Sequence, residues 1–314
     1  MHYNRHILHD AQKGGLQMRK EPVMVKRSSY SAMGRDRYDY EPTYAFDPVW
    51  KYGASLHCHD FYELYIHLRG VKYYCIDNNV YPIEPNQLLV MPPLTMHGHI
   101  GAYRPVNYER AFLYISPATL RRAGADVMDL VGFLSKCTAR GQYQYQMSAT
   151  DAKTCTRLIQ EMTVGLEDES PMGRFANHSR MLNFLQIICQ NVQRSARETK
   201  PVIVNRAMQE VLSYIDEHFT QPHRLETIAR RFGVSVSYLS HEFVKYTGRS
   251  VYDYILNRRV LQAKEMIYSG VLLNEVAYRC GFSDYSSFLR CFKKMSGMSP
   301  NAYRKMIKQN QSDL

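Results

Sequence analysis

The chain has 314 residues, of which 45% are hydrophobic, and it carries a formal net charge of +11. This length allows two domains that each have a core, and the positive charge favours a polyanionic partner. No run reaches the roughly 18 apolar residues that a membrane span requires, and the first residues lack a signal-peptide core, so we expect a cytoplasmic protein without a membrane partner. The seven cysteines have no paired spacing, which argues against a disulfide framework or a zinc ribbon.

The N-terminal half changes character near residue 46. Residues 1–45 are polar, basic and rich in tyrosine, and we predict that they form a partly disordered arm. After them come short β-branched and aromatic runs, separated by turn signals, which predict a small β-barrel or jelly roll. In the first of these strands, alternation should place Tyr62 and Leu64 opposite Phe61, Glu63 and Tyr65. The predicted strands are 61–68, 71–76, 88–91 and 108–115.

Two amphipathic helices are predicted after the barrel, each with an apolar stripe at helical spacing. One face must cover the barrel, and an excess of apolar surface could join two subunits. A polar run over 194–201 is predicted to be a linker. The two stripes are Cys155, Leu158, Ile159, Met162 and Leu166, and Met181, Leu185, Ile188 and Val192.

The C-terminal third of the chain contains one helical pattern twice. A small Ala is followed after four residues by a Gly and then by a Ser, which is the pattern of a helix-turn-helix. The Ala allows a close helix crossing, the Gly supplies a positive φ, and the Ser can cap the second helix. The offset is 48 residues at first and 49 further on, so one residue has entered the second turn. The paired residues are Ala229, Gly233 and Ser235 with Ala277, Gly281 and Ser283, and then Phe243 with Phe292.

The segment between the copies, 250–268, has no internal Gly or Pro and predicts one helix. About 19 residues at roughly 1.5 Å each give about 28 Å. Successive major grooves on one face of a duplex are about 34 Å apart, so one chain could fill two adjacent grooves.

The residues of both copies resemble the AraC/XylS family of bacterial transcription regulators over about 207–306. The resemblance implies a promoter in double-stranded DNA as partner, contact with RNA polymerase, and a homodimer formed through the helical region. It also implies an effector-responsive activator of carbohydrate or other catabolic genes, and no enzyme. The residues that carry the resemblance include Tyr238, Leu239, Thr247 and Gly248 in the first copy, and Gly281, Phe282, Ser283, Asp284, Phe288, Gly297, Ser299 and Pro300 in the second.

Helix faces then assign the DNA contacts. In the first recognition helix, Tyr238, Leu239 and Phe243 are expected to pack inside, and the residues facing the groove would read bases. Arg290 is the strongest candidate, since Arg can bind guanine in bidentate fashion. The predicted base contacts are Ser237, Ser240, His241, Ser286, Ser287 and Arg290. The predicted phosphate contacts, which set affinity without reading sequence, are Lys245, Arg249, Lys293 and Lys294.

A second resemblance lies in the barrel. His57, His59 and Glu63 with Gly70, and His97 after Pro92, resemble the two cupin motifs. Asn86 and Leu94 depart from them, because these motif positions usually hold Gly. In metal-binding cupins the three His and the Glu bind a divalent metal. In AraC-like regulators the same pocket more often binds an effector directly.

Three roles for these side chains therefore stay open: direct contact with an effector such as a sugar, a metal site, or a structural role in the core. We assign His57, His59, Glu63, His97 and Tyr65 to a small-molecule effector pocket, without a resident metal or cofactor. The rival function is a metal-dependent cupin enzyme whose helical part recruits it to a partner.

The predicted fold is thus α+β. An N-terminal cupin-like β-barrel with flanking helices precedes an all-α domain of two helix-turn-helix units joined by a long helix. The predicted domains are the arm over 1–45, the effector-binding and dimerisation domain over 46–198, and the DNA-binding domain over 205–306. Its two helix-turn-helix units are 225–246 and 273–296.

Overall fold

A computed structural model describes residues 40–49, 56–100, 105–139, 141–194 and 200–312, with side chains to residue 308. The predicted arm lies outside these residues up to position 39. Within them, eight antiparallel strands form two sheets, with the orders β1-β7-β2-β5-β8 and β4-β3-β6. The strands are β1 (Tyr40–Val49), β2 (Tyr62–Arg69), β3 (Tyr73–Ile76), β4 (Asn79–Pro82), β5 (Gln87–Met91), β6 (His97–His99), β7 (Val106–Ile115) and β8 (Gln144–Gln146).

The first strand corrects the sequence analysis, which placed residues 40–45 in the arm. These residues form the first half of β1 and pair with β7 along their whole length. Pro42 weakened the strand signal, because proline cannot donate to a ladder. The strand lies at the edge of its sheet, where proline is tolerated.

Strand β2 alternates as predicted. Tyr62, Leu64 and Ile66 join the core beneath the helices, whereas Tyr65 lies in a second cluster with Tyr74. Both faces of the sheet are therefore covered, one by helices and one by the other sheet.

Four helices complete this half: α1 (Pro117–Gly124), α2 (Leu130–Thr138), α3 (Ala149–Gly165) and α4 (Pro171–Arg194). The two predicted helices are α3 and α4, and their apolar stripes are buried against the five-stranded sheet, except that Leu166 is the half-buried C-cap of α3. The short helices α1 and α2 were not predicted. Ser116 caps α1 and Asp129 caps α2, each by accepting a hydrogen bond from a backbone N–H of the first turn.

Seven helices form the C-terminal part: α5 (Arg206–His218), α6 (Leu225–Arg231), α7 (Val236–Thr247), α8 (Val251–Tyr268), α9 (Leu273–Arg279), α10 (Tyr285–Ser296) and α11 (Pro300–Ser312). The helix pairs α6–α7 and α9–α10 are the two predicted units, and α8 is the predicted joining helix, capped by Ser250. Gly233 and Gly281 have φ values of 64° and 84°, as their turns require.

The two halves share one hydrophobic cluster. It contains Leu56, Cys58 and Val80 from the barrel, and residues of α5, α7 and α8 such as Leu212 and Phe243. At its edge the backbone N–H of Val202 donates to the carbonyl of Val80 at 2.7 Å. The C-terminal helices are therefore packed against the barrel.

A polar cluster lies beside this shared core. The β3–β4 turn, whose residues Asp77 and Asn78 have φ values of 49° and 62°, brings Asn78 to α5 and α8. There the Tyr254 hydroxyl donates to Asn78 Oδ1 at 3.0 Å, and the amide of Asn78 donates to Asp216. Arg258 Nε forms an ion pair with Asp216 Oδ1 at 2.9 Å.

Burial raises the pKa of Asp216 to about 6, although Arg258 and Tyr254 oppose the shift. The ordinary pKa is 3.8, so the folded chain binds a proton more tightly than the unfolded chain. This group therefore adds most stability at low pH, and its contribution is lost as the pH rises through about 6.

We predict that Asp216→Asn, which resembles the protonated carboxyl, removes this pH dependence. The stability of the variant relative to wild type should increase between pH 4 and pH 7 by up to about 3 kcal/mol, since each pKa unit corresponds to about 1.4 kcal/mol. Chemical denaturation at several pH values measures it. Parallel pH profiles for the two proteins would contradict the assignment.

Candidate DNA-binding surface and sensor cluster

The two recognition helices, α7 and α10, expose equivalent positions. Ser237, His241 and Lys245 are exposed at i, i+4 and i+8 on α7. At an offset of 49 residues, Ser286, Arg290 and Lys294 occupy the same exposed face of α10. The opposite faces are buried and include Leu239 and Phe243 on α7 and Phe288 and Phe292 on α10. Each helix thus offers one polar face that no other described element covers.

The start of α10 differs from the predicted one. Ser283 was expected to be the N-cap, but the cap is Asp284, whose carboxylate accepts from the Ser287 N–H at 2.7 Å. The residue inserted into the second turn moves the cap by one position. In the first copy the predicted cap, Ser235, is confirmed and accepts from the Tyr238 N–H at 3.1 Å.

A chain of hydrogen bonds orients Arg290, the strongest predicted base contact. The Ser287 hydroxyl donates to Asp284 Oδ2 at 2.7 Å, and Arg290 Nη2 donates to the Ser287 hydroxyl at 3.1 Å. Arg290 is exposed and oriented by its own helix. Ser287 serves this positioning, since its hydroxyl already has two partners.

Three residues of the first unit depart from their predicted places. Tyr238 was expected to pack inside, but 49% of its surface is exposed, next to Ser237. The Ser240 hydroxyl donates to the Val236 carbonyl of its own helix at 2.8 Å, and this residue lines a groove of mostly apolar side chains. Arg249 Nε donates to the Leu56 carbonyl of the barrel at 2.6 Å, so this side chain is partly engaged by the N-terminal half. The Arg249 contact depends on how the two halves pack, which helix periodicity does not record.

Four of the five residues assigned to the effector pocket come together. One ligand atom from each of His57, His59, Glu63 and His97 lies within 4.8 Å of the other three. His57 and His97 exchange two backbone hydrogen bonds of 2.8 Å, and Glu63 lies on β2. We call these four residues the sensor cluster. Except for the half-buried His57, they are buried.

Glu63 is the centre of the sensor cluster. Its Oε2 lies 3.1 Å from His59 Nε2 and 2.9 Å from His97 Nε2. Burial alone would raise the pKa of Glu63, but the hydrogen bonds with both imidazoles outweigh it and hold the pKa well below its ordinary value. Burial lowers the pKa of His59, although Glu63 opposes this shift. An ionised carboxylate and a neutral His59 are therefore favoured at neutral pH.

Aromatic rings form one wall of the sensor cluster. The His59 ring stacks on Phe61 with centroids 3.9 Å apart, and Tyr114, which sequence analysis did not single out, lies 5.1 Å from His59. The Tyr65 hydroxyl instead pairs with that of Tyr108 at 2.9 Å within the barrel core. The predicted effector contact by Tyr65 therefore lacks support from its position.

The two departures from the cupin motifs are sequence changes without a backbone change. Asn86 and Leu94 have φ values of 63° and 64°, the left-handed conformation that Gly adopts easily. For Leu this conformation costs about 1 kcal/mol or more. The Leu94 N–H donates to the His59 carbonyl at 2.7 Å, so the turn is held against the sensor cluster.

Known proteins match both halves of the chain. The family model described as AraC-like ligand binding domain matches residues 41–189, and the one described as helix-turn-helix domain matches residues 228–306. The uncharacterized HTH-type transcriptional regulator YdiP of Escherichia coli (strain K12) is 24% identical over 271 residues, which cover 83% of this chain and 84% of that protein. The HTH-type transcriptional activator RhaS of Escherichia coli O81 (strain ED1a) is 21% identical over 250 residues, covering 79% of this chain and 86% of that protein.

Among solved structures, the DNA-binding domain of AdpA, in complex with a target DNA, is 29% identical and covers 34% of this chain and 96% of that chain, with a TM-score of 0.33. The two family models match in the order in which the sheets and the duplicated helices occur. The chain belongs to the AraC family and is a DNA-binding transcription regulator with an AraC-type ligand-binding domain. Among the described helices, none combines the length and apolarity needed to cross a membrane.

We predict that Asp284→Ala lowers the melting temperature of the DNA-binding part clearly, because the first turn of α10 loses its cap. Ser283→Ala is the matched control and should change it little, since Ser283 is exposed and does not cap the helix. Thermal unfolding followed by circular dichroism compares the two. A larger loss for Ser283→Ala than for Asp284→Ala would return the cap to Ser283, the residue predicted from the sequence.

Proposed function

We propose that this regulator binds promoter DNA through two successive major grooves and activates carbohydrate or other catabolic genes in response to a small-molecule effector such as a sugar. The observation that carries the proposal is the pair of exposed polar faces at equivalent positions of α7 and α10. It acts in the cytoplasm, where its DNA is, and contacts RNA polymerase at the promoter.

The length of α8 supports binding to two grooves. Its 18 residues span about 27 Å at roughly 1.5 Å each, close to the repeat of about 34 Å between grooves. The recognition helices lie on either side of it in sequence. A single chain would then read two patches about one helical turn apart.

The exposed residues divide by chemistry into two groups. Arg290, held by Ser287, presents a planar donor pair to guanine, and His241 occupies the equivalent position of α7. The exposed lysines Lys293 and Lys294 supply charge for phosphates. Lys245 does so as well, although its Nζ lies 3.2 Å from Glu242 and must exchange that partner for a phosphate.

We predict that Arg290→Ala relaxes the preference at one base position, with a loss of roughly 1–3 kcal/mol of discrimination. Lys293→Ala should weaken all sequences about equally and make binding less dependent on salt. Selection from a randomised DNA library, followed by salt titration, measures both.

Lys153→Ala is the matched control for a lost positive charge, because Lys153 is exposed on α3, outside the recognition helices. It should leave both measurements unchanged. A uniform loss on every sequence for Arg290→Ala would remove that residue from base reading.

We further propose a homodimer formed through α4. Met172 and Phe175 are 72% and 67% exposed, and Leu182 continues the same side of the helix. Val164 of the neighbouring helix α3 is also exposed. Large apolar side chains grouped on two adjacent helices favour an interface over a solvated surface.

The expected result for Met172→Ser with Phe175→Ser is dissociation at concentrations where the wild type is dimeric, since most of this apolar surface is removed. Val127→Ser, at a valine outside α3 and α4 that is even more exposed, is the control and should leave the dimer intact. Sedimentation velocity separates the species. A monomeric wild type, or a double variant that stays dimeric, would contradict this interface.

The rival function is a metal-dependent cupin enzyme. One observation favours it: the ligand atoms of the four residues in the sensor cluster lie close together. An enzyme of this kind would not need the exposed polar faces that α7 and α10 carry at equivalent positions. The separating experiment is sequencing of genomic fragments retained by the full-length chain at physiological salt. Discrete sites with two conserved patches about one turn apart support the regulator, and retention without preference supports the rival.

A further inference from the structure

The segment 56–60 lies between the sensor cluster and the DNA-binding part. Its odd-numbered residues His57 and His59 belong to the sensor cluster. Its even-numbered residues face the other half: Leu56 and Cys58 enter the shared hydrophobic cluster, and Asp60 pairs with Lys264 of α8. Five consecutive residues thus connect the cluster to the helix that joins both recognition units.

The even-numbered residues of this segment contact α7 and α8 directly. The Leu56 N–H donates to the Thr247 carbonyl at 3.1 Å, at the end of recognition helix α7. Lys264 is only 2% exposed, and its Nζ lies 3.3 Å from Asp60 Oδ2. A buried ammonium depends on its carboxylate, so a shift of segment 56–60 changes the environment of α8.

Within the sensor cluster, the hydrogen bonding of two imidazoles is unusual. His59 Nδ1 lies 3.0 Å from the Phe61 carbonyl, and His97 Nδ1 lies 2.8 Å from the Thr95 carbonyl. Both Nε2 atoms also face Glu63 Oε2. A carbonyl and a carboxylate only accept, so each ring needs either a second N–H, as in an imidazolium, or a cation between its Nε2 and the carboxylate.

The convergence of four ligand atoms favours the second solution, a metal cation. If both Nδ1–H groups donate to the carbonyls, both Nε2 lone pairs point toward the Glu63 carboxylate, as ligating histidines are held in metal sites. The four ligand atoms, at most 4.8 Å apart, fit around one ion with ligand distances of about 2.0–2.2 Å after a small side-chain movement. Imidazole with carboxylate, without thiolate, suits zinc, nickel or iron(II).

We propose that the sensor cluster binds one divalent first-row transition-metal ion, and that this binding changes DNA affinity through segment 56–60. The second half of the proposal rests on the proposed function, and the first half does not. Since His57 and His59 alternate with Leu56 and Asp60 along the chain, ligation of the odd residues fixes the even ones against Thr247 and Lys264.

The first experiment measures metal binding by the full-length chain after dialysis against a chelator. Titration calorimetry with Zn²⁺ and Ni²⁺, and visible absorption with Co²⁺ as a probe, should give one ion per chain. His57→Gln and Glu63→Gln should each weaken binding by more than about tenfold. His57 is half-buried, so its variant is the one more certain to fold. His178→Gln, at an exposed histidine of α4, is the matched control and should bind as wild type does.

The second experiment measures affinity for selected DNA with and without Zn²⁺. We expect a change of about 5-fold to 150-fold, and by linkage the DNA must change the affinity for Zn²⁺ by the same factor. Asp60→Asn should keep metal binding and lose most of this change, because it lacks the carboxylate that pairs with Lys264.

The outcomes separate the two proposals. Absence of stoichiometric binding, or equal binding by the cluster variants, overturns the metal site even where the metal-free chain selects DNA sequences as proposed. Metal binding without any effect on DNA affinity, or an unchanged effect in Asp60→Asn, overturns transmission through segment 56–60. A chain that selects no DNA sequence in either state defeats the proposed function, while the calorimetry still decides the metal site.

Discussion

The ion pair between Asp60 and Lys264 is the contact on which the arrangement of the two halves depends. Lys264 lies on the helix that joins both recognition units, and its ammonium is almost fully buried. Leaving such an ammonium without any acceptor costs about 3–5 kcal/mol, a substantial part of the roughly 5–15 kcal/mol by which domains are stable. The shared hydrophobic cluster and the Tyr254–Asn78 hydrogen bond act at the same boundary. The barrel and the first helix-turn-helix unit therefore move together or separate at considerable cost.

That boundary makes the two recognition helices unequal. The first unit is held by the barrel, since Thr247 and Arg249 at the end of α7 bind Leu56. The second unit has its own core, which includes Phe288 and Phe292 and is separate from the shared cluster. A signal from the sensor would reach α7 directly, and α10 through α8 and through Tyr303, whose ring lies beside Lys264 and Phe292. The two recognition helices are thus equivalent in sequence pattern, but in the described part of the chain only α7 is held directly by the barrel.

Local patterns predicted most of the fold. Helical periodicity located α3, α4 and α8, and the repeated pattern located both helix-turn-helix units. Periodicity failed where the signal was short or interrupted: Pro42 obscured β1, and β6 and β8 have three residues each. It also misplaced one cap, because Ser283 and Asp284 are both good cap residues and only the turn geometry selects between them. The sensor cluster could be predicted because its spacing follows a motif that a barrel brings together.

What the sequence could not predict is which polar residues the other half would use. Lys264 reads as an ordinary exposed lysine of a long helix, and Arg249 as one more basic residue beside a recognition helix. Both are committed to segment 56–60, a stretch more than 180 residues earlier in the chain. Contacts across such a separation depend on how two finished units pack, and no local period records that. The same limit explains Leu94, whose left-handed backbone is held by a hydrogen bond to His59 that only the closed barrel makes possible. The residues that connect sensing to DNA binding are therefore those that sequence patterns describe least well.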